Sequence, residues 1–100
     1  MTIADFATRV YEDRKIAFSK RGIGALDFEC ATRVVPKVKY TRVDVGPRSN
    51  WSGRFMIDAE GKIYGIKAYG KVNKRKVYGT LETVDEWFWG EYYPIKRRKL

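Results

Sequence analysis

One hundred residues, 44% hydrophobic and 15% aromatic, have the composition of one small folded domain rather than a disordered chain. A single cysteine, Cys30, and no histidine exclude an intramolecular disulfide, the usual zinc ligand sets and the common neutral-pH general base. The net charge of +9, from 21 Lys and Arg against 12 Asp and Glu, points to a polyanionic partner or a solubilising surface.

No apolar run approaches the roughly 18 residues of a membrane helix. The opening MTIADFATRV carries Asp5 and no apolar core, so it is not expected to act as a secretory signal. Ile3, Phe6, Ala7, Val10, Ala17 and Phe18 recur at helical spacing and predict a helix over 2–20. Thr2 can cap it with Asp5 in the first turn; Gly22 and Gly24 stop it. Arg9, Glu12, Asp13 and Lys20 are expected on its polar side. Residues 25–35 suit either an edge strand or a short helix, interrupted by Pro36.

Beyond Pro36 the pattern turns to period two. Strands are expected over 38–45, 54–58, 62–69 and 76–81. Ala59-Glu60-Gly61 reads as a tight hairpin, with Gly61 supplying the positive φ. Thr83 followed by Glu86 fits a capping box for a short aromatic helix ended by Gly90, and residues 96–100 read as a frayed basic tail on a domain of 1–95. The expected fold is α+β: an N-terminal helix packed on an antiparallel β-meander of about four strands, closed by a short C-terminal aromatic helix.

Charge is clustered. Residues 66–80 hold five bases and no acid, residues 31–55 six bases and one acid, and residues 94–100 four bases. The segment AYGKVNKRKVYG, between the last two predicted strands, would present Lys71, Lys74, Arg75 and Lys76 at a hairpin tip, with Lys67 and Tyr69 beside them. Phosphate contacts need charge and reach rather than fixed spacing, and a tyrosine can stack on an unpaired base. Lys39, Arg42 and the tail would add charge. Trp51 with Arg48 and Arg54 beside it could stack a base or hold a phosphate, with Trp51 and Arg54 counted in the nucleic-acid site, or the indole could anchor its loop on the core. The competing reading of the basic segment is a wet turn whose lysines discourage edge aggregation.

The run Trp87, Phe88, Trp89 points three ways around a helix at about 100° per residue. With Tyr92 and Tyr93, it either docks on a protein partner, with self-association possible, or completes the core. Asp85, Glu86 and Glu91 lie near these aromatics, but adjacent carboxylates on a helix diverge and no acid–base pair is expected. No metal, cofactor or catalytic residue is assigned.

The run Phe55–Arg98 resembles small uncharacterised proteins of actinobacterial phages, of the mycobacteriophage kind. The resemblance rests on Gly-Ile-Lys-x-Tyr-Gly (Gly65–Gly70), Tyr-Gly-Thr-Leu-x-Thr (Tyr78–Thr83) and Trp-Gly-x-Tyr-Tyr-Pro (Trp89–Pro94). It covers under half the chain and leaves the N-terminal helix outside. It implies a phage origin and a place in the infected bacterial cytoplasm, and no activity. The expected function is a non-enzymatic nucleic-acid-binding protein contacting phosphates through the basic hairpin. The alternative is a module that binds or inhibits a host protein through Trp87, Phe88, Trp89 and Tyr92.

Overall fold

A computed structural model describes residues 1–22, 27–68 and 71–99, except the side chains of Asp27, Phe28 and Lys99. Helix α1, Ile3–Lys20, begins as its sequence predicts. The Asp5 N–H donates to Thr2 Oγ1 at 3.0 Å and the Thr2 N–H donates to Asp5 Oδ2 at 3.2 Å, a reciprocal capping box. Donation to the Asp5 carboxyl from the Thr2 backbone N–H, and then from the Thr2 hydroxyl, holds it below the usual aspartate range, because both favour the charged form. Its buried stripe is Phe6, Ala7, Val10, Asp13 and Ala17. Asp13 therefore belongs to the apolar face and not to the polar side.

The ambiguous 25–35 stretch resolves into both alternatives in series. A four-residue helix α2, Asp27–Cys30, precedes strand β1, Thr32–Pro36. Strands β2 (Thr41–Val45), β3 (Ser52–Ile57), β4 (Lys62–Ala68) and β5 (Lys71–Thr80) follow. They pair antiparallel in the order β1-β2-β3-β4-β5, a meander of five strands rather than four. The β3–β4 hairpin is built as expected. Gly61 has φ 85°, and the Asp58 carboxylate accepts the N–H groups of Glu60 and Lys62 at 3.0 and 2.9 Å.

The register sorts side chains into two layers. Val43, Phe55, Gly65 and Asn73 pair across β2 to β5, and so do Arg42, Met56, Tyr64 and Val77 on the opposite face. The first layer faces α1. There Phe6, Val10, Val43, Val45, Phe55, Ile57, Ile63, Val84 and Trp89 form the core. Trp89 meets Phe6 and Phe55 edge-on at 4.8 and 5.4 Å between ring centroids.

The C-terminal segment differs from expectation. One 3₁₀ turn, Val84–Glu86, replaces the aromatic helix, and Trp87–Phe88 (β6) pairs with Ile95–Lys96 (β7). Thr83 does not cap, because its hydroxyl accepts the Thr80 N–H at 2.9 Å across the bend at Gly79, φ 76°. Gly90 ends no helix. A Cβ there would strike the backbone carbonyl of Asp13, so glycine lets this segment lie directly on α1. In the expected tail, Lys96 sits in β7 and Arg97–Lys99 form a second 3₁₀ turn. Among the described residues, no helix is long and apolar enough to cross a membrane.

Candidate functional site

The basic segment is not a hairpin tip. Lys71, Lys74, Arg75 and Lys76 lie along β5, the edge strand, and Tyr69 lies outside the described residues. Tyr64 pairs with Val77 while its neighbour Gly65 pairs with Asn73, four positions away. Lys74, Arg75 and Lys76 therefore bulge from the ladder with no β4 partner. Asn73 Oδ1 accepts the Arg75 N–H at 3.1 Å and holds the bulge folded. Such a bulge bends the edge and frees long side chains from the pleat.

Gly65 faces this bulge. A Cβ at that position would lie 3.1 Å from Lys76 Cβ and 3.4 Å from the Tyr78 hydroxyl. With Gly53, it leaves a groove of about 250 Å³ whose cations are Arg54, Lys67 and Lys76 and whose aromatic walls are Tyr78, Tyr92 and Tyr93. Arg54 reaches the groove because β3 is itself bulged. Val43 pairs with Phe55 and Asp44 with Gly53, so Arg54 is the extra residue.

The groove concentrates positive charge. The Arg54 guanidinium lies 4.6 Å from the Tyr92 ring centre, and the Lys76 ammonium 4.3 Å from that of Tyr93. Burial lowers the Arg54 pKa, and repulsion from Arg14 lowers it further. Burial also raises the Tyr78 pKa, which keeps its phenol protonated and able to donate. Among the described residues, Arg54, Lys67, Lys71, Lys74, Arg75 and Lys76 enter no ion pair, nor do Lys20, Lys37, Lys39, Arg48, Lys62, Lys96 and Arg98 elsewhere, whereas Arg9, Arg21, Arg33, Arg42 and Arg97 each meet a carboxylate.

The other residues expected at a nucleic-acid site lie apart. Lys39 is exposed beside Asp58 and Ala59, at the far end of the sheet from the groove. Arg42 is 4% exposed, a correction to its expected surface role. Its Nε and Nη2 donate to the fully buried Asp44 carboxylate at 2.6 and 3.2 Å, and Arg33 Nε adds a bond at 2.8 Å. The period-two pattern of β2 puts Arg42 on the sheet face, where Asp44 neutralises it. Trp51 is half-buried with the Arg33 guanidinium 4.8 Å from its ring centre, so one ring face is already stacked on a cation.

Of the aromatic set, Trp89 is fully buried and Phe88 is 4% exposed. Trp87 is half-buried against Tyr78, and Tyr92 is exposed. The surface role expected of Phe88 and Trp89 is thus corrected: the 3₁₀–strand geometry turns both inward, where a helix would have splayed them. Asn73, Tyr78 and Tyr93 join the groove without having been expected there. The consecutive Tyr92 and Tyr93 ahead of Pro94 were their one visible signal. Asp85 and Glu91 are taken by Arg9 and Arg21. Among the described residues, no three His, Cys, Asp or Glu side chains are grouped to hold a metal ion. No protein-family model matches the chain, and no curated protein or solved structure is similar to it.

Proposed function

We propose that this is a non-enzymatic nucleic-acid-binding protein, phage-encoded and acting in the infected bacterial cytoplasm. It contacts phosphates along the β5 edge. The observation that carries the reading is the set of six cations on β5 and in the groove with no acidic partner among the described residues. Other cations unpaired among the described residues, such as Lys20, Lys37 and Arg48, lie elsewhere on the fold, while these six share one strand and the groove beside it, uncompensated and mutually repulsive. A polyanion relieves that repulsion and releases its own counterions. The phage origin rests on the sequence resemblance alone.

Fluorescence anisotropy with labelled DNA and RNA across salt concentration tests the function. Binding with a steep salt dependence, weakened when Lys74, Arg75 and Lys76 become alanine, supports phosphate contact by the bulge. Absence of binding at low salt overturns it.

One observation favours the second reading, a module that binds or inhibits a host protein. Tyr92 and Tyr93 are 67% and 56% exposed beside an apolar recess of about 420 Å³ that includes Phe88 and Ile95. Exposed tyrosines are common anchors of protein interfaces. Capture of one specific protein from a host lysate, lost on Tyr92→Ala but kept by the triple β5 variant, would favour this reading.

A further inference from the structure

We propose that the groove receives one nucleotide of a single strand, its phosphate between Arg54 and Lys76 and its base against Tyr92. The protein then prefers single strands to duplex. This inference rests on the nucleic-acid reading and assigns the groove a role distinct from the β5 edge.

Arg54 is the anchor. It is half-buried, its pKa is lowered by burial and by Arg14, and its guanidinium has no hydrogen-bond partner among the described residues. Arg42 is held by Asp44, and Arg14 donates Nη2 to the Glu29 carbonyl at 2.9 Å while its buried Nε has no partner among the described residues. A desolvated cation without an anion is costly, and a phosphate oxygen pair matches the guanidinium fork. Lys76 reaches the same recess from the bulge, and the protonated Tyr78 phenol adds a neutral donor.

The groove also discriminates by shape. At about 250 Å³ it is smaller than the roughly 300–1,000 Å³ pockets that enclose drug-sized ligands, so it can take the phosphate and sugar of one nucleotide while the base rests on its Tyr92 wall. A duplex keeps its bases stacked inside and can offer the recess only phosphates. A single strand can turn one base outward onto an aromatic ring. Tyr92 is suited to this. Arg54 covers one face of its ring, yet the residue is 67% exposed, and Tyr93 braces it edge-on at 4.9 Å. Gly65 keeps the floor open, since a side chain there would press on Lys76 and Tyr78.

The test compares labelled oligo-dT and oligo-U with a DNA duplex of equal length, for the native chain and for Arg54→Gln and Tyr92→Ala. The expected result is single-strand binding at least about tenfold tighter than duplex binding, with most of that margin lost in each variant; duplex binding is little changed by Tyr92→Ala and is weakened by Arg54→Gln only by its one lost charge. Tyr92 is exposed, so Tyr92→Ala remains informative even if Arg54→Gln impairs folding. Equal binding of strand and duplex, or a preference that survives Tyr92→Ala, overturns the inference and leaves the β5 contact standing. Failure to bind either polymer overturns the nucleic-acid reading itself, and this inference with it.

Discussion

The Asp13 carboxylate on α1 accepts the backbone N–H of Trp89 at 2.9 Å, joining the first element of the fold to the last aromatic of its core. Arg97 approaches the same oxygen at 3.5 Å. Asp13 is 3% exposed, and Gly90 lies against its backbone carbonyl. One helical turn thus holds the C-terminal segment by a side chain and by close backbone approach. Asp13→Ala leaves the Trp89 N–H buried without its acceptor and is expected to cost about 1–3 kcal/mol in urea unfolding. Faster hydrogen exchange at Trp89 should accompany the loss; unchanged protection would refute the tether.

The same carboxylate makes stability depend on pH. Burial raises the Asp13 pKa above the ordinary 3.8, only partly offset by the Trp89 N–H and by Arg97 and Arg9. The folded chain then binds this proton more readily than the unfolded chain. The contribution is complete below the unfolded pKa and declines as pH rises through the folded one. Asp13→Asn removes the titration, so the native chain's stability relative to this variant should fall with rising pH across the acid range. A difference that is flat or grows with pH would reverse the sign of the assignment.

Asp44 is expected to matter more than its single charge suggests. It is fully buried and takes bonds from Arg42 and Arg33. Asp44→Ala removes the carboxylate that neutralises the buried Arg42 guanidinium and should cost about 3–5 kcal/mol. Replacing both partners by apolar residues, Arg42→Met with Asp44→Leu, should recover much of that loss in the same denaturation assay. Arg33 is more exposed, and Arg33→Ala should cost less than Asp44→Ala.

Two aromatics three residues apart should behave oppositely. Trp89 is fully buried, and its indole N–H donates to the Val84 carbonyl at 3.0 Å. Trp89→Ala should cost about 3–5 kcal/mol or prevent folding. Tyr92→Ala, at an exposed position, should stay within about 0.5 kcal/mol of the native chain by thermal or urea unfolding. A large loss for Tyr92→Ala would mean that the groove wall supports the fold.

Gly90→Ala forces a Cβ toward the Asp13 carbonyl, an atom that cannot rotate away. The expected penalty is about 1–3 kcal/mol, from shifted backbone and a weakened Trp89–Asp13 bond. A neutral outcome by urea unfolding would show that the segment can lift from α1 without loss.

What the amino-acid sequence determined alone is local. The Thr2–Asp5 capping box, the helix it starts and the Gly61 hairpin all appear because each depends on residues within a few positions of one another. The α+β class followed from the change of apolar period at Pro36. Even Asp13 was legible in principle, since 6, 10, 13 and 17 form one helical stripe; its charge argued against the face its spacing dictated.

Only the tertiary structure decided the rest. GKIYGIK and RKVYGTL share a pattern, yet Tyr64 and Tyr78 face opposite sides of the sheet, because the three-residue bulge shifts the pairing register. The same bulge turns a basic run into an edge, and the β3 bulge carries Arg54 beside it. Side-chain alternation reverses with every added residue, and which strand absorbs the extra residue is set by its neighbours. The aromatic run followed the same logic. Trp89 is buried and Tyr92 exposed because Asp13, 76 residues earlier, takes the Trp89 N–H and closes the segment over the core.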